Sequence, residues 1–170
     1  MNTKQSLTEG NIIKSVIIFS IPFLLANLIQ ALYGAVDLMV IGWYCSPESV
    51  AAVSTGTQVT QIITSMVSGL TLGGTVLVGK YVGMKKPEDV QDTIATNLSV
   101  FFLTGLLLTA LLLIFVSPIL TALKTPELSF SLAKQYVSVC AWGVVFICGY
   151  NAISAILRGY GDSKSPLIFV

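Results

Sequence analysis

The chain has 170 residues, of which 54% are hydrophobic and only 10% charged, and its mean hydropathy is +0.85. A soluble domain carries about 25% charged residues and a globule of this size keeps much of its area wet, so a water-soluble enzyme is all but excluded and a bilayer is required as solvent. Nine basic against eight acidic residues leave a net charge of +1 and no nucleic-acid footprint, and histidine, the commonest metal ligand and general base, is absent.

The gaps between charges mark the spans. Val16 to Tyr44 contains only Asp37, and Val50–Val78, Thr93–Leu123 and Gln135–Leu157 contain no charge at all. Each gap exceeds the roughly 20 residues that a helix needs to cross hydrocarbon. The expected architecture is all-α: a polytopic transmembrane helix bundle with helices at about 14–42, 49–80, 91–120 and 132–157. A fifth helix is expected from Pro166, with Ser165 as its N-cap. The first run is too long for the apolar part of a signal peptide and ends in no small-x-small cleavage site, so it is read as a retained helix.

Helix 1 carries Asn27, Gln30, Gly34 and Asp37 within an arc of roughly 80°. An ionisable group at membrane depth usually faces a bundle interior or a water-filled cavity. With amides one and two turns below it, Asp37 is a candidate cation or proton site. The alternative is that Asp37 lies near the outer helix end and reaches headgroup water. Helix 2 has a longer stripe of Thr57, Gln61, Thr64, Ser68, Thr71 and Thr75, again within about 80°, flanked by Gln58 and Ser65. Ser and Thr are common glue between membrane helices, so packing is the favoured role for most of them. Gln58 and Gln61 are costlier to bury and are the better cavity candidates. Gly69, Gly73, Gly79 and Gly83 form small-xxx-small pairs that permit close helix approach.

Helix 3 is the most uniformly apolar, Leu-rich from Leu106 to Val116, and is expected to face lipid; Asn97 is its one strong polar group, in a sequon too deep to be glycosylated. Helix 4 carries Gly143, Tyr150, Asn151 and Ser154. Tyr150 is either an interfacial belt aromatic or a cavity residue, and Asn151 is a cavity candidate. Pro22 and Pro118 can kink or end helices 1 and 3. Cys45, Cys140 and Cys148 have neither metal-type spacing nor an even disulfide count and read as apolar packing residues. In the loops, Lys4, Lys14, Lys80, Lys85, Lys86, Arg158 and Lys164 lie on one side, and only Lys124 and Lys134 on the other. That bias puts the N-terminus in the cytoplasm; the membrane is expected to be a bacterial inner (plasma) membrane, an expectation that goes with the family likeness below rather than with the charges.

Four segments carry a family likeness: Leu7 to Gly10 before the first helix; Pro22 to Gly42 (PFLLANLIQALYGAVDLMVIG); Gly69 to Gly83 (GLTLGGTVLVGKYVG); and Arg158 to Pro166 (RGYGDSKSP). In combination they resemble the N-terminal part of a multidrug and toxic compound extrusion (MATE) transporter. The resemblance implies a twelve-helix secondary active antiporter of two six-helix lobes that exports organic, chiefly cationic, compounds against inward flow of H⁺ or Na⁺. It implies no other cofactor, and its partners are the bilayer, small-molecule substrates and the missing remainder of the transporter. By its Val-Asp context, Asp37 matches the first-helix aspartate that one branch of the family uses as a cation or proton site. The cytoplasmic loop with Arg158, Gly159, Gly161, Asp162, Lys164 and Pro166 is expected to be structural or gating. The likeness ends inside the fifth of twelve spans, which implies a truncated chain, inactive alone. Two rivals stand beside this reading. A related lipid-linked oligosaccharide flippase should have a more cationic cavity than these spans, which hold one acidic and no basic interior residue. A non-transporting assembly module should tolerate loss of Asp37. Without paired carboxylates or a nucleophile constellation, an enzyme is not expected.

Overall fold

Four long helices and one short one account for the fold in the computed structural model, which describes residues 12–168. They are α1 (Ile12–Tyr44), α2 (Pro47–Gly83), α3 (Pro87–Ala122), α4 (Glu127–Gly159) and α5 (Lys164–Ile168). The first four are each long and apolar enough to span a bilayer. At 33 to 37 residues they measure about 50–55 Å, against about 30 Å of hydrocarbon, so roughly 10 Å of each end reaches the headgroup region. The expected spans sit inside these helices, and the added turns are interfacial.

The local sequence explains the starts and stops. Ser46 caps α2 in an extended conformation, its side chain accepting from the Ser49 N–H, with Pro47 in the first turn. Pro87 opens α3, followed by Glu88 and Asp89, acidic groups that suit the positive end of the helix dipole. Lys86 pairs with Asp89 at 3.2 Å. The three reversals at α2–α3, α3–α4 and α4–α5 share one geometry. A residue with positive φ (Lys85 at 56°, Lys124 at 54°, Gly161 at 85°) closes the helix, and the next N–H reaches back five residues: Lys86 to the Tyr81 carbonyl, Thr125 to Leu120, Asp162 to Leu157. This is the Schellman arrangement, which satisfies carbonyls that the helix end would leave orphaned.

α4 packs along both α2 and α3, and α2 and α3 meet each other less closely. Val59, Val67, Phe101, Leu108, Leu112, Val116, Leu120, Val137, Val144 and Cys148 form the core between these three helices. Small residues let the backbones approach: Gly105 lies against Cys148 and Val145, and Gly159 against Val78 and Thr75. Thr109 donates across the α3–α4 interface to the Ala141 carbonyl at 3.0 Å. α1 touches only α2 and α5 to any extent, and most of its described side chains are exposed.

Three sequence expectations are revised. α3 does not simply face lipid: Leu108, Leu112 and Val116 are buried while Leu107 and Ile114 are exposed, so one of its faces packs on α4. Neither Pro22 nor Pro118 ends its helix. The fifth helix begins at Lys164, two residues early, because the Asp162 carboxylate takes the capping role: its Oδ1 accepts from the Lys164 and Ser165 N–H groups at 3.0 Å each.

Candidate functional site

A cavity of about 690 Å³ opens between α1, α2, α4 and the α4–α5 turn. Its walls are mostly apolar, with polar side chains set among them from each of the three helices, and a polar group left unsatisfied in hydrocarbon is expensive. α1 contributes Asn27 and Gln30 from its middle turns. α2 contributes Thr64, Ser68, Thr71 and Thr75. α4 and the following turn contribute Tyr150, Asn151, Arg158 and Ser163, and Phe19, Leu72 and Phe146 supply apolar surface.

The hydrogen bonds fix which groups remain for a ligand. Thr64 Oγ1 donates to the Thr60 carbonyl and Thr75 Oγ1 to the Thr71 carbonyl, both at 2.9 Å. Their hydrogens are thus committed to the backbone, and the oxygens keep acceptor capacity. Thr71 Oγ1 donates to the Val67 carbonyl at 2.9 Å and approaches Asn151 Oδ1 at 3.2 Å, while Asn151 Nδ2 donates to the Ile147 carbonyl at 2.9 Å. This ties α2 to α4 at the cavity wall. Tyr150 donates to the Pro166 carbonyl at 3.3 Å, which holds the start of α5 under the cavity. Arg158 Nε donates to the Ser154 carbonyl at 3.2 Å. The α2 wall therefore offers acceptors near the middle of the helix, and a guanidinium stands at the lysine-rich end.

The sequence candidates separate into two groups. Asn27, Gln30, Tyr150 and Asn151 come together on the cavity, joined by Arg158 and Pro166 from the loop. Gln58 and Gln61 are exposed on α2 and lie outside the cavity lining; the threonines and serine of the same stripe line it instead. The 80° arc was visible in sequence, but its assignment to packing came from residue type alone. Arg158 in the wall also departs from an interior free of basic residues. Gly159, Gly161, Asp162 and Lys164 form the turn beneath. Ser163 is buried there and carried no signal in the sequence.

Asp37 stands apart. It is exposed, seven residues beyond Gln30 and about 10 Å further along α1, toward the other end of the bundle. Tyr136 on α4, which interacts with Thr57 on α2, lies within electrostatic reach of Asp37. Measured back from Tyr44 it is again about 10 Å from the helix end, which places it at the edge of the hydrocarbon if α1 is centred. Asp162 lies in the turn outside the spans, and the hydrogen bonds from Ser165 hold its carboxyl below the ordinary aspartate value. Among the described residues no group of His, Cys, Asp and Glu could hold a metal ion.

Four apolar spans, three of which (α1, α2 and α4) line a small-molecule-sized cavity, define the class: a multi-pass helical membrane protein. Within that class the chain belongs to the MatE family, whose model matches residues 22–170. It is 30% identical over 162 residues to "Probable multidrug resistance protein YoeA" of Bacillus subtilis (strain 168), covering 95% of this chain and 35% of that protein. It is 31% identical over 165 residues to "Probable multidrug resistance protein YpnP" of the same organism, covering 96% of this chain and 37% of that protein. The chain thus spans little more than a third of the length of these relatives. Among solved structures, a MATE protein in complex with MaD3S superposes with a TM-score of 0.88 at 24% identity, covering 99% of this chain and 38% of that one. A transporter described as of the MOP superfamily, from Pyrococcus furiosus, gives 0.89 at 24% identity, over 99% and 37%. These last two likenesses establish the fold.

Proposed function

We propose that this chain forms part of the N-terminal lobe of a secondary active antiporter, which exports drugs or other organic metabolites in exchange for H⁺ or Na⁺ and works with the further helices that its relatives possess. The observation that carries this reading is the 690 Å³ cavity between α1, α2 and α4, an apolar hollow into which each of the three helices sets polar side chains, in a chain of the MatE family. The α2 acceptors suit the N–H or cationic part of a cargo, the apolar surface suits its hydrocarbon, and Arg158 suits a polar or anionic group at the lysine-rich end. An amphipathic, donor-bearing compound fits this wall better than a simple cation.

Asp37 is the proposed coupling group, the site where H⁺ or Na⁺ binds. Antiport requires that the two ligands either compete for one site or favour opposite conformations. The separation of about 10 Å between Asp37 and Gln30 along α1 supports the second route, with α1 as the shared element. The loop lysines favour a cytoplasmic N-terminus, and the bacterial relatives favour the plasma membrane as its site. The test is Asp37→Asn in a full-length transporter carrying this lobe, with efflux followed in everted vesicles under separately imposed H⁺ and Na⁺ gradients. Loss of gradient-driven efflux is expected, and undiminished coupled efflux removes Asp37 from the mechanism.

A flippase for lipid-linked oligosaccharides is the second reading, because Arg158 is a basic group in the cavity wall and no carboxylate among the described residues lines it. Transfer of a pyrophosphate-linked lipid, with no drug efflux in the same vesicles, would decide for it.

A further inference from the structure

A second hollow, of about 480 Å³, lies between α2 and α3, apart from the candidate site. Its mouth holds Asp89, Asp92 and Tyr81, and its inner walls are apolar, with Leu70, Leu77 and Phe101. Between mouth and wall stands Asn97. The Asn97 side chain is 8% exposed, and its amide nitrogen is buried without a hydrogen-bond partner among the described residues. The amide lies over the bare Cα of Gly74, where a Cβ would come within 2.7 Å of Oδ1 and 2.8 Å of Nδ2. An orphaned amide in hydrocarbon is costly, so a donor left there without a partner points to an acceptor that is not part of these helices.

The depths of these groups suggest what supplies it. Counted from Pro87, Asp89 and Asp92 lie about 3 and 7 Å along α3, within the roughly 10 Å that projects into the headgroup region, and Asn97 lies about 15 Å along, just inside the hydrocarbon. The groove walls then continue about 5 Å deeper to Phe101. Asp89 is engaged by Lys86 at 3.2 Å, which leaves Asp92, exposed at the mouth, to face an incoming cation. An aminophospholipid matches this ladder. Its ammonium meets the Asp92 carboxylate, an ester carbonyl accepts from Asn97 Nδ2, and an acyl chain follows Leu77, Leu70 and Phe101. Lipid is also the solvent that bathes such a groove, so it is present in excess.

We propose that the α2–α3 groove is a binding site for a phospholipid bearing a primary ammonium. A carboxylate forms charge-assisted hydrogen bonds to N–H donors, which a trimethylated headgroup lacks. The test uses the whole chain in nanodiscs made either from phosphatidylethanolamine with phosphatidylglycerol or from phosphatidylcholine with phosphatidylglycerol, extracted gently and weighed intact by native mass spectrometry. Retained phosphatidylethanolamine should exceed retained phosphatidylcholine about threefold, as expected for one charge-assisted bond at a partly exposed site. Asp92→Asn, a surface change that leaves the Lys86–Asp89 pair in place, should abolish the preference. Asn97→Leu should lower retention of both lipids, because it removes the carbonyl donor. Equal retention of the two lipids, or a preference that survives Asp92→Asn, overturns the proposal and makes the groove a packing surface for protein.

Discussion

Gly159 is a point of close approach in the α2–α4 crossing. A Cβ there would stand 2.6 Å from both Cβ and Cγ1 of Val78 and 3.1 Å from the Thr75 carbonyl oxygen. Carbon atoms in contact settle at about 3.5–4.0 Å, so Gly159→Ala must open the crossing by about 1 Å. Val78 is 0% exposed and cannot swing into free space, and the Thr75 carbonyl belongs to the helix backbone. Overpacking of this kind costs about 1–3 kcal/mol. Alanine returns at most about 1 kcal/mol of helix propensity, and less than that at the last residue of α4, so the net loss is about 1–2 kcal/mol. Gly143 lies on the same helix with nothing within 4 Å of its built Cβ. There the same substitution gains the propensity term without the clash, so Gly143→Ala should be stabilising by up to about 1 kcal/mol. The pair is measured by unfolding of the purified chain in mixed micelles. If Gly159→Ala proves as stable as Gly143→Ala, the crossing is not tight and the packing account is wrong.

Three further outcomes follow from named contacts. Replacing Thr71 by Val and Asn151 by Leu, singly and together, should give a coupling of about 0.5–1.5 kcal/mol in a double-mutant cycle, the range for interhelical hydrogen bonds in membranes; additive losses would mean that the 3.2 Å approach contributes nothing. Asp162→Ala should cost about 1 kcal/mol as the lost cap of α5, whereas Asp162→Asn should retain much of it. Since the Ser165 hydrogen bonds depress the Asp162 carboxyl, its stabilisation is complete above the ordinary aspartate value and is lost as pH falls through the lower folded one; wild type should therefore lose stability below about pH 4 by an increment absent in Asp162→Asn, read from acid titrations of melting. Lys124 holds φ at 54°, a conformation that costs a non-glycine residue about 1 kcal/mol or more; Lys124→Gly should therefore be neutral or slightly stabilising in the same unfolding assay, and a loss above about 1 kcal/mol would count against the strained turn.

The spans were legible because charge is excluded from hydrocarbon whatever the fold, so the uncharged runs bracket the helices directly. The inner face of α3 was not. Leu108 and Leu107 are chemically identical, and lipid and protein neighbours are equally apolar, so no pattern of residue types separates the buried from the exposed leucine. The α5 start was missed because Ser165 and Asp162 both cap well, and only the fold of the turn decides between them. In the candidate site the amides of α1 and Asn151 were readable from polarity within the apolar runs, whereas Tyr150 was left open between the interface and a cavity, because a tyrosine near a helix end suits both. The cavity role of Thr64, Ser68 and Thr75 was not, because a threonine bonded to its own helix looks the same in sequence whether its oxygen faces a neighbour or a hollow. Arg158 was assigned to the loop by its charge, while its long side chain reaches back along α4.

α1 is joined to the other helices far more loosely than they are to one another, and its outward side chains already meet an apolar medium. When such a helix tilts within this chain, it exchanges lipid for lipid, and little apolar free energy opposes the movement. The helix that carries Asp37 toward one end of the bundle also carries Asn27 and Gln30 beside the hollow. A few degrees of lean at one end are therefore delivered at the other, and the helix can act as a lever arm whose pivot is the short turn to α2.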